Sequence, residues 1–237
     1  MKGRIVRPQV GATISDLPEV GRLHIGKKSD KGFPMSVDYF IPSGKYAGLF
    51  TQALGEKPST IQIVFCSDDA EKVCCERYEY RDDKGALVAA GDGKTFAVWS
   101  GREYVEIDSE KYPNVMEKII EKFPTRRGAD NWDIVLTMRF IIPAVQGVVG
   151  VWRFSTKGRA SSVKNIRASF DGVQELRGTI TGSVFDLSVQ FAKSNKPGNN
   201  SKYPVVSLIA NDNRVAEIKE ALTQKQSTGL LLGNGHK

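Results

Sequence analysis

Lys27, Lys28 and Lys31 crowd the segment between Gly26 and Phe33, with Tyr39 and Phe40 a few residues on. Cations beside rings are what an acidic protein surface or a nucleic-acid backbone with unstacked bases would meet. A second basic group, Arg126, Arg127, Arg153, Lys157, Arg159, Lys164 and Arg167, is spread over the later half of the chain. Phe33, Tyr39, Trp152 and Tyr203 are the rings that could stack on bases. The competing reading is ordinary: rings in alternating strands usually belong to a core, and basic residues on a helix usually form its solvated face.

Catalytic chemistry finds less support. Acyl transfer by Ser-His-Asp or Cys-His needs an imidazole held against a nucleophile, and the chain has only His24 and His236. His24, in an expected strand, reads as a surface or structural residue. The pairs Asp68-Asp69 and Asp82-Asp83 have turn spacing, where aspartate caps backbone N–H groups. A small hydrolase would require His24 and one of these pairs to converge in a cleft. Gly26-Lys27-Lys28 and Gly91-Asp92-Gly93-Lys94 lack the two-glycine spacing and the Lys-Ser/Thr helix start of a P-loop, and read as hairpin turns. Cys66, Cys74 and Cys75 are too few for a disulfide framework, and adjacent strand residues rarely hold one metal together. They are expected to be structural thiols. No enzyme activity, cofactor or metal is expected.

Composition is that of an ordinary soluble globular protein, and its positive surplus could serve solubility alone. Of 237 residues, 40% are hydrophobic and 26% charged, with a net charge of +7. That surplus favours approach to nucleic acid or to an acidic protein face. No run approaches the roughly 20 apolar residues that span a bilayer. The start, MKGRIVRPQV, has no continuous apolar stretch, so no secretory signal is expected.

The elements that must carry these residues read as α+β, mostly antiparallel sheets with a few short helices. Ser43 is expected to cap a helix running to about Leu54, closed by Gly55. Ile61–Cys66 is a short β-branched run. Segments at Arg77–Tyr80, Leu87–Ala90, Phe96–Trp99 and Tyr104–Ile107, separated by Gly-rich and Asp-rich turns, predict a meander of hairpins. A helix is expected over Tyr112–Phe123. Two buried strands, Trp132–Ile142 and Val148–Phe154, precede a helix from about Ser161 to Leu176. Val184–Phe191 alternates with period two and pairs with Val205–Ala210 around the loop 194–202. Asn213–Thr223 could form a last helix. The organisation expected is an irregular arm over 1–20, an α+β region over 21–107, a helix and connector over 108–130, a second α+β region over 131–223, and a flexible tail over 224–237.

Several short blocks carry a resemblance. They are Gly21-Arg22-Leu23-His24-Ile25-Gly26-Lys27-Lys28, Asp38-Tyr39-Phe40, Leu54-Gly55-Glu56-Lys57-Pro58, Ile61–Phe65 with Ser67-Asp68-Asp69, and Gly150-Val151-Trp152-Arg153-Phe154-Ser155-Thr156. In this order they resemble the recombination directionality factors of phages and conjugative elements that use large serine integrases. The resemblance implies a non-enzymatic accessory protein of a mobile element, acting in the bacterial cytoplasm. Such a factor binds the DNA-seated integrase and favours excision over integration. The relatives' mid-chain cysteine cluster has no counterpart in Glu106–Asp133, so the resemblance carries over no metal. Lys27, Lys28, Lys31, Arg126, Arg127, Arg159 and Lys164 would then face the partner or DNA. The alternative from the residues themselves is a single-stranded DNA-binding protein of a phage replication module.

Overall fold

The computed structural model describes residues 17–127, 131–194 and 200–211. Strands β1 (Glu19–Lys28) and β2 (Pro34–Ser43) form a hairpin. Its turn closes through the Gly32 N–H on the Ser29 carbonyl at 2.8 Å, with Gly32 at φ 80°. Helix α1 (Ala47–Leu54) follows and ends at Gly55 (φ 83°), whose N–H reaches the Thr51 carbonyl at 2.8 Å. Ser43 does not cap it. That residue ends β2, and its hydroxyl lies 2.8 Å from His24 Nε2, because the strand continues further than the local capping signal suggested.

Next come β3 (Thr60–Val64), the short α2 (Ala70–Val73), and the meander β4 (Cys74–Arg81), β5 (Leu87–Gly91), β6 (Thr95–Trp99) and β7 (Tyr104–Asp108). Its turns use aspartate as expected. Asp82 Oδ1 accepts from Lys84 and Ala86 N–H, and Asp92 Oδ1 from Lys94 and Thr95 N–H. Helix α3 (Val115–Lys122) starts three residues later than its pattern predicted, behind Asn114 at φ 62°. Strands β8 (Trp132–Phe140) and β9 (Val151–Thr156) lead through a π-type turn, Arg159–Val163, into α4 (Lys164–Arg177). The hairpin β10 (Val184–Lys193) and β11 (Lys202–Ala210) completes the described chain. The protein is α+β.

Eight strands form one sheet in the order β2-β1-β9-β8-β4-β5-β6-β7, and β11-β10-β3 form a second. β1 joins β9 in parallel, while the other strand pairs are antiparallel. The large sheet runs continuously across segment 108–130, because β8 pairs with both β4 and β9. A bridge between Val64 and Ile141 ties the sheets together. The main core lies between them, with Phe40, Phe50, Phe65, Phe154, Phe170, Phe185 and Trp152 all buried. A smaller core packs Val115 and Ile119 of α3 onto Tyr80, Val88, Phe96 and Val98. The sequence placed an irregular arm before residue 21, but β1 already begins at Glu19. The expected helix at 213–223 and the tail at 224–237 lie outside the described residues.

Asp68 fastens the loop after β3 to the turn after α4. Its Oδ1 accepts from Ile180 N–H (2.7 Å), Thr181 N–H (2.8 Å), Thr181 hydroxyl (2.8 Å) and Thr179 hydroxyl (2.9 Å). Desolvation pushes its pKa up, but these donors to the charged form outweigh it and hold the carboxyl at about 2. A carboxyl depressed in the folded state stabilises the fold fully above its unfolded value, near 4, and loses that stabilisation as pH falls towards 2. The melting temperature of the wild type should therefore drop over that window, and Asp68→Asn should flatten the drop. At neutral pH, Asp68→Ala should cost about 1 kcal/mol, a figure reduced for the exposed setting. Parallel acid titrations of the two proteins would refute this clamp.

Candidate contact surfaces: a basic hairpin tip and an open sheet face

Hairpin β1–β2 carries the first basic group. Lys27, Lys28 and Lys31 are exposed at its tip. The ladder pairs Lys27 with Met35 and Lys28 with Pro34, so lysine and methionine stand directly opposite on one face. Phe33 is 67% exposed and Met35 44%, an apolar pair within a basic rim. No local sequence signal marks Met35; its strand pairing is what brings it to the lysines. Tyr39, in the same hairpin, is half-buried, with Lys57 Nζ 5.8 Å from its ring centroid.

The second basic group does not form one surface. Arg126 and Arg127 are exposed in the turn after α3, where the Arg126 N–H donates to Asp83 Oδ1 at 3.2 Å. Arg153 and Lys157 lie on the face of the large sheet opposite the core, on the same strand side as Ser155. Lys157 Nζ is 2.6 Å from Asp133, and Arg153 Nε is 3.5 Å from Glu19. Arg167 works inside the fold: it bridges α4 to β4 through Glu76 (3.3 Å) and the Cys74 carbonyl (3.1 Å), and pairs with Asp171 (3.1 Å). It is therefore corrected from contact residue to clamp. Lys164 is exposed at the start of α4, and Arg159 lies in the turn before it.

Trp152 is also corrected. It is 1% exposed, packed 5.4 Å from Phe50 between ring centroids, and offers no face to a base. Tyr203 is 40% exposed on β11 of the second sheet, whereas Phe33 and Tyr39 belong to the β1–β2 hairpin.

The pairing that a hydrolase would require, His24 with one of the aspartate pairs, is not assembled. His24 bonds Ser43, while Asp68 serves the α4 turn and Asp82 the β4–β5 turn. Burial, then the guanidiniums of Arg22 and Arg153, lower the His24 pKa below its ordinary value. Burial pushes the Cys74 thiol up to about 12 and the Cys75 thiol upward, as for inert structural thiols. Among the described residues no group of three or more His, Cys, Asp or Glu is placed to hold a metal ion. Among them, too, no helix is long and apolar enough to cross a membrane.

Neither a curated protein nor a solved structure matches the chain. The family model described as Gp3-like, recombination directionality factor-like, does match, and it spans β1 through β11, the same elements that build both sheets and the hairpin tip. With residues 20–211 covered, the chain belongs to the Gp3-like, recombination directionality factor-like family.

Proposed function

We propose that this protein is a non-enzymatic accessory factor that sets the direction of site-specific recombination by a large serine integrase, and that it meets the integrase through the β1–β2 hairpin tip. Family membership supports the class of activity. The observation that carries the contact surface is the exposed pair Phe33 and Met35 inside the rim of Lys27, Lys28 and Lys31. Apolar anchors within a charged border are the usual anatomy of a protein interface. The lysines would speed encounter with an acidic partner face more than they would tighten the final complex.

The mechanism needs no active site. Recombination direction changes when the factor binds one synaptic arrangement of the integrase more tightly than the other, and only that difference shifts the populations. A hundredfold preference corresponds to about 2.7 kcal/mol. In a reconstituted reaction with the purified cognate integrase, the protein should stimulate excisive recombination and suppress integrative recombination. The variant Phe33→Ala/Met35→Ala should keep the wild-type melting temperature, since both side chains are solvent-exposed, yet lose at least about tenfold in integrase affinity. Unchanged direction in the presence of wild-type protein would sink the reading. Full activity of the folded variant would move the contact elsewhere.

A further inference from the structure

Register on the large sheet produces an arrangement that electrostatics alone would avoid. Arg22 of β1 is the ladder partner of Arg153 of β9, and Arg153 is the partner of Arg139 of β8. Each alternates with a buried neighbour: Leu23, Trp152 and Phe154, and Met138 and Phe140. All three guanidiniums therefore leave the sheet on the side away from the core. Adjacent strands lie about 4.8 Å apart, so three cationic stems fall within about 10 Å. Like charges directly opposite on a sheet are destabilising.

Internal compensation is incomplete. Glu19 accepts from Arg22 Nε at 2.5 Å and lies 3.5 Å from Arg153 Nε, while Arg139 donates to the Leu17 carbonyl at 3.3 Å. Among the described residues Glu19 is the carboxylate ion-paired with the row, while Glu71 and Glu79 border the same face. The field of the row is felt by His24, whose protonation is opposed, after burial, by Arg22 and Arg153. Beside the row, the hydroxyls of Thr137 and Ser155 stand 3.0 Å apart as further donors. The face is hollowed rather than flat: a depression of about 320 Å³ bordered by Arg22, Arg81, Arg153 and Lys157 with Glu79 adjoins one of about 450 Å³ bordered by Lys72, Arg77, Arg139 and Arg153 with Glu19, Glu71 and Glu79, so cations outnumber carboxylates around both.

We propose that this open sheet face binds the phosphodiester backbone of nucleic acid, with the row Arg22–Arg153–Arg139 seating phosphates. Guanidinium forks match phosphate oxygens bidentately, and hydroxyl donors add contacts that carry no sequence information. A protein partner fits the face poorly. Interface centres are depleted in charge and anchored by apolar or aromatic side chains, whereas the apolar side chain that points to this face from the middle of β8, Val135, is itself only 5% exposed. The inference rests on sheet register and stands apart from the integrase contact assigned to the hairpin tip.

The test is fluorescence anisotropy of the full-length protein with labelled single- and double-stranded oligonucleotides of unrelated sequence, titrated with salt. Wild type should bind at low salt, with a log–log salt slope that reports the phosphates engaged and a strand preference that identifies the backbone form. Arg22→Gln/Arg153→Gln should weaken binding at least about tenfold and flatten that slope by about 1 to 2. Should the double variant melt early, Arg22→Gln alone, at a side chain 53% exposed, should flatten it by about 1. Phe33→Ala/Met35→Ala should bind oligonucleotides like wild type. No binding to either oligonucleotide overturns the proposal, as does an unchanged slope in a folded Arg22→Gln protein. Arg22-dependent binding of a glutamate-rich peptide without oligonucleotide binding overturns it in favour of a protein ligand.

Discussion

Trp152→Ala is expected to cost about 3–5 kcal/mol of folding stability, a large part of the roughly 5–15 kcal/mol that holds a domain folded. The indole is 1% exposed and tilted against Phe50 at 5.4 Å. Its ladder partner on β1 is Gly21, and that pairing explains how so large a side chain fits. A Cβ at Gly21 would stand 2.4 Å from the indole Cζ3, so the ring lies across a strand position that only glycine leaves empty. Alanine at 152 would open a cavity between β1, α1 and β9 that the surrounding rings could not refill. Urea denaturation would read the loss directly. A base-stacking role predicts the opposite pattern: stability nearly unchanged and oligonucleotide binding reduced. That pattern would contradict the packing described above.

Trp152 also shows how far local sequence reaches. Along β9 the order Val151, Trp152, Arg153, Phe154, Ser155 already groups Trp152 with Phe154 and Arg153 with Ser155, and a period of two makes the first pair core and the second pair surface. The meander β4–β7, the pair β8–β9 and the hairpin β10–β11 were legible for the same reason, with Asp and Gly marking the turns. Ser43 misled because a capping residue and a strand end look alike until the length of β2 is known. What no local pattern reveals is partnership over distance. The parallel joining of β1 to β9 links residues far apart in the chain, and it alone aligns Arg22 with Arg153. Likewise, Arg167 looks like one more cation on a helix until β4 brings Glu76 to it. The hairpin tip was half legible: its lysines and Phe33 are local, while Met35 joins them only through strand register.

Phe65→Ala should be as damaging as the tryptophan change, again about 3–5 kcal/mol, but by a different route. Phe65 is fully buried just beyond β3 and meets two rings edge-on: Phe170 of α4 at 5.1 Å and Phe185 of β10 at 5.4 Å. Those partners belong to the helix and to the central strand of the small sheet, so one side chain joins both to the segment that leads into the large sheet. Edge-to-face pairs add about 0.5–1.5 kcal/mol each beyond area burial, and they share this ring. A double-mutant cycle of Phe65→Leu with Phe170→Leu should therefore show a coupling of about that size rather than additivity. The denaturant slope separates two modes of failure. If Phe65→Ala lowers the midpoint at unchanged slope, both sheets still unfold together. A reduced slope would mean that the small sheet has already loosened while the large one persists. Unchanged slope is the expected result, because the Val64–Ile141 bridge and the shared main core still bind the layers. A loss below about 1 kcal/mol would place Phe65 outside the set of side chains that hold the layers together.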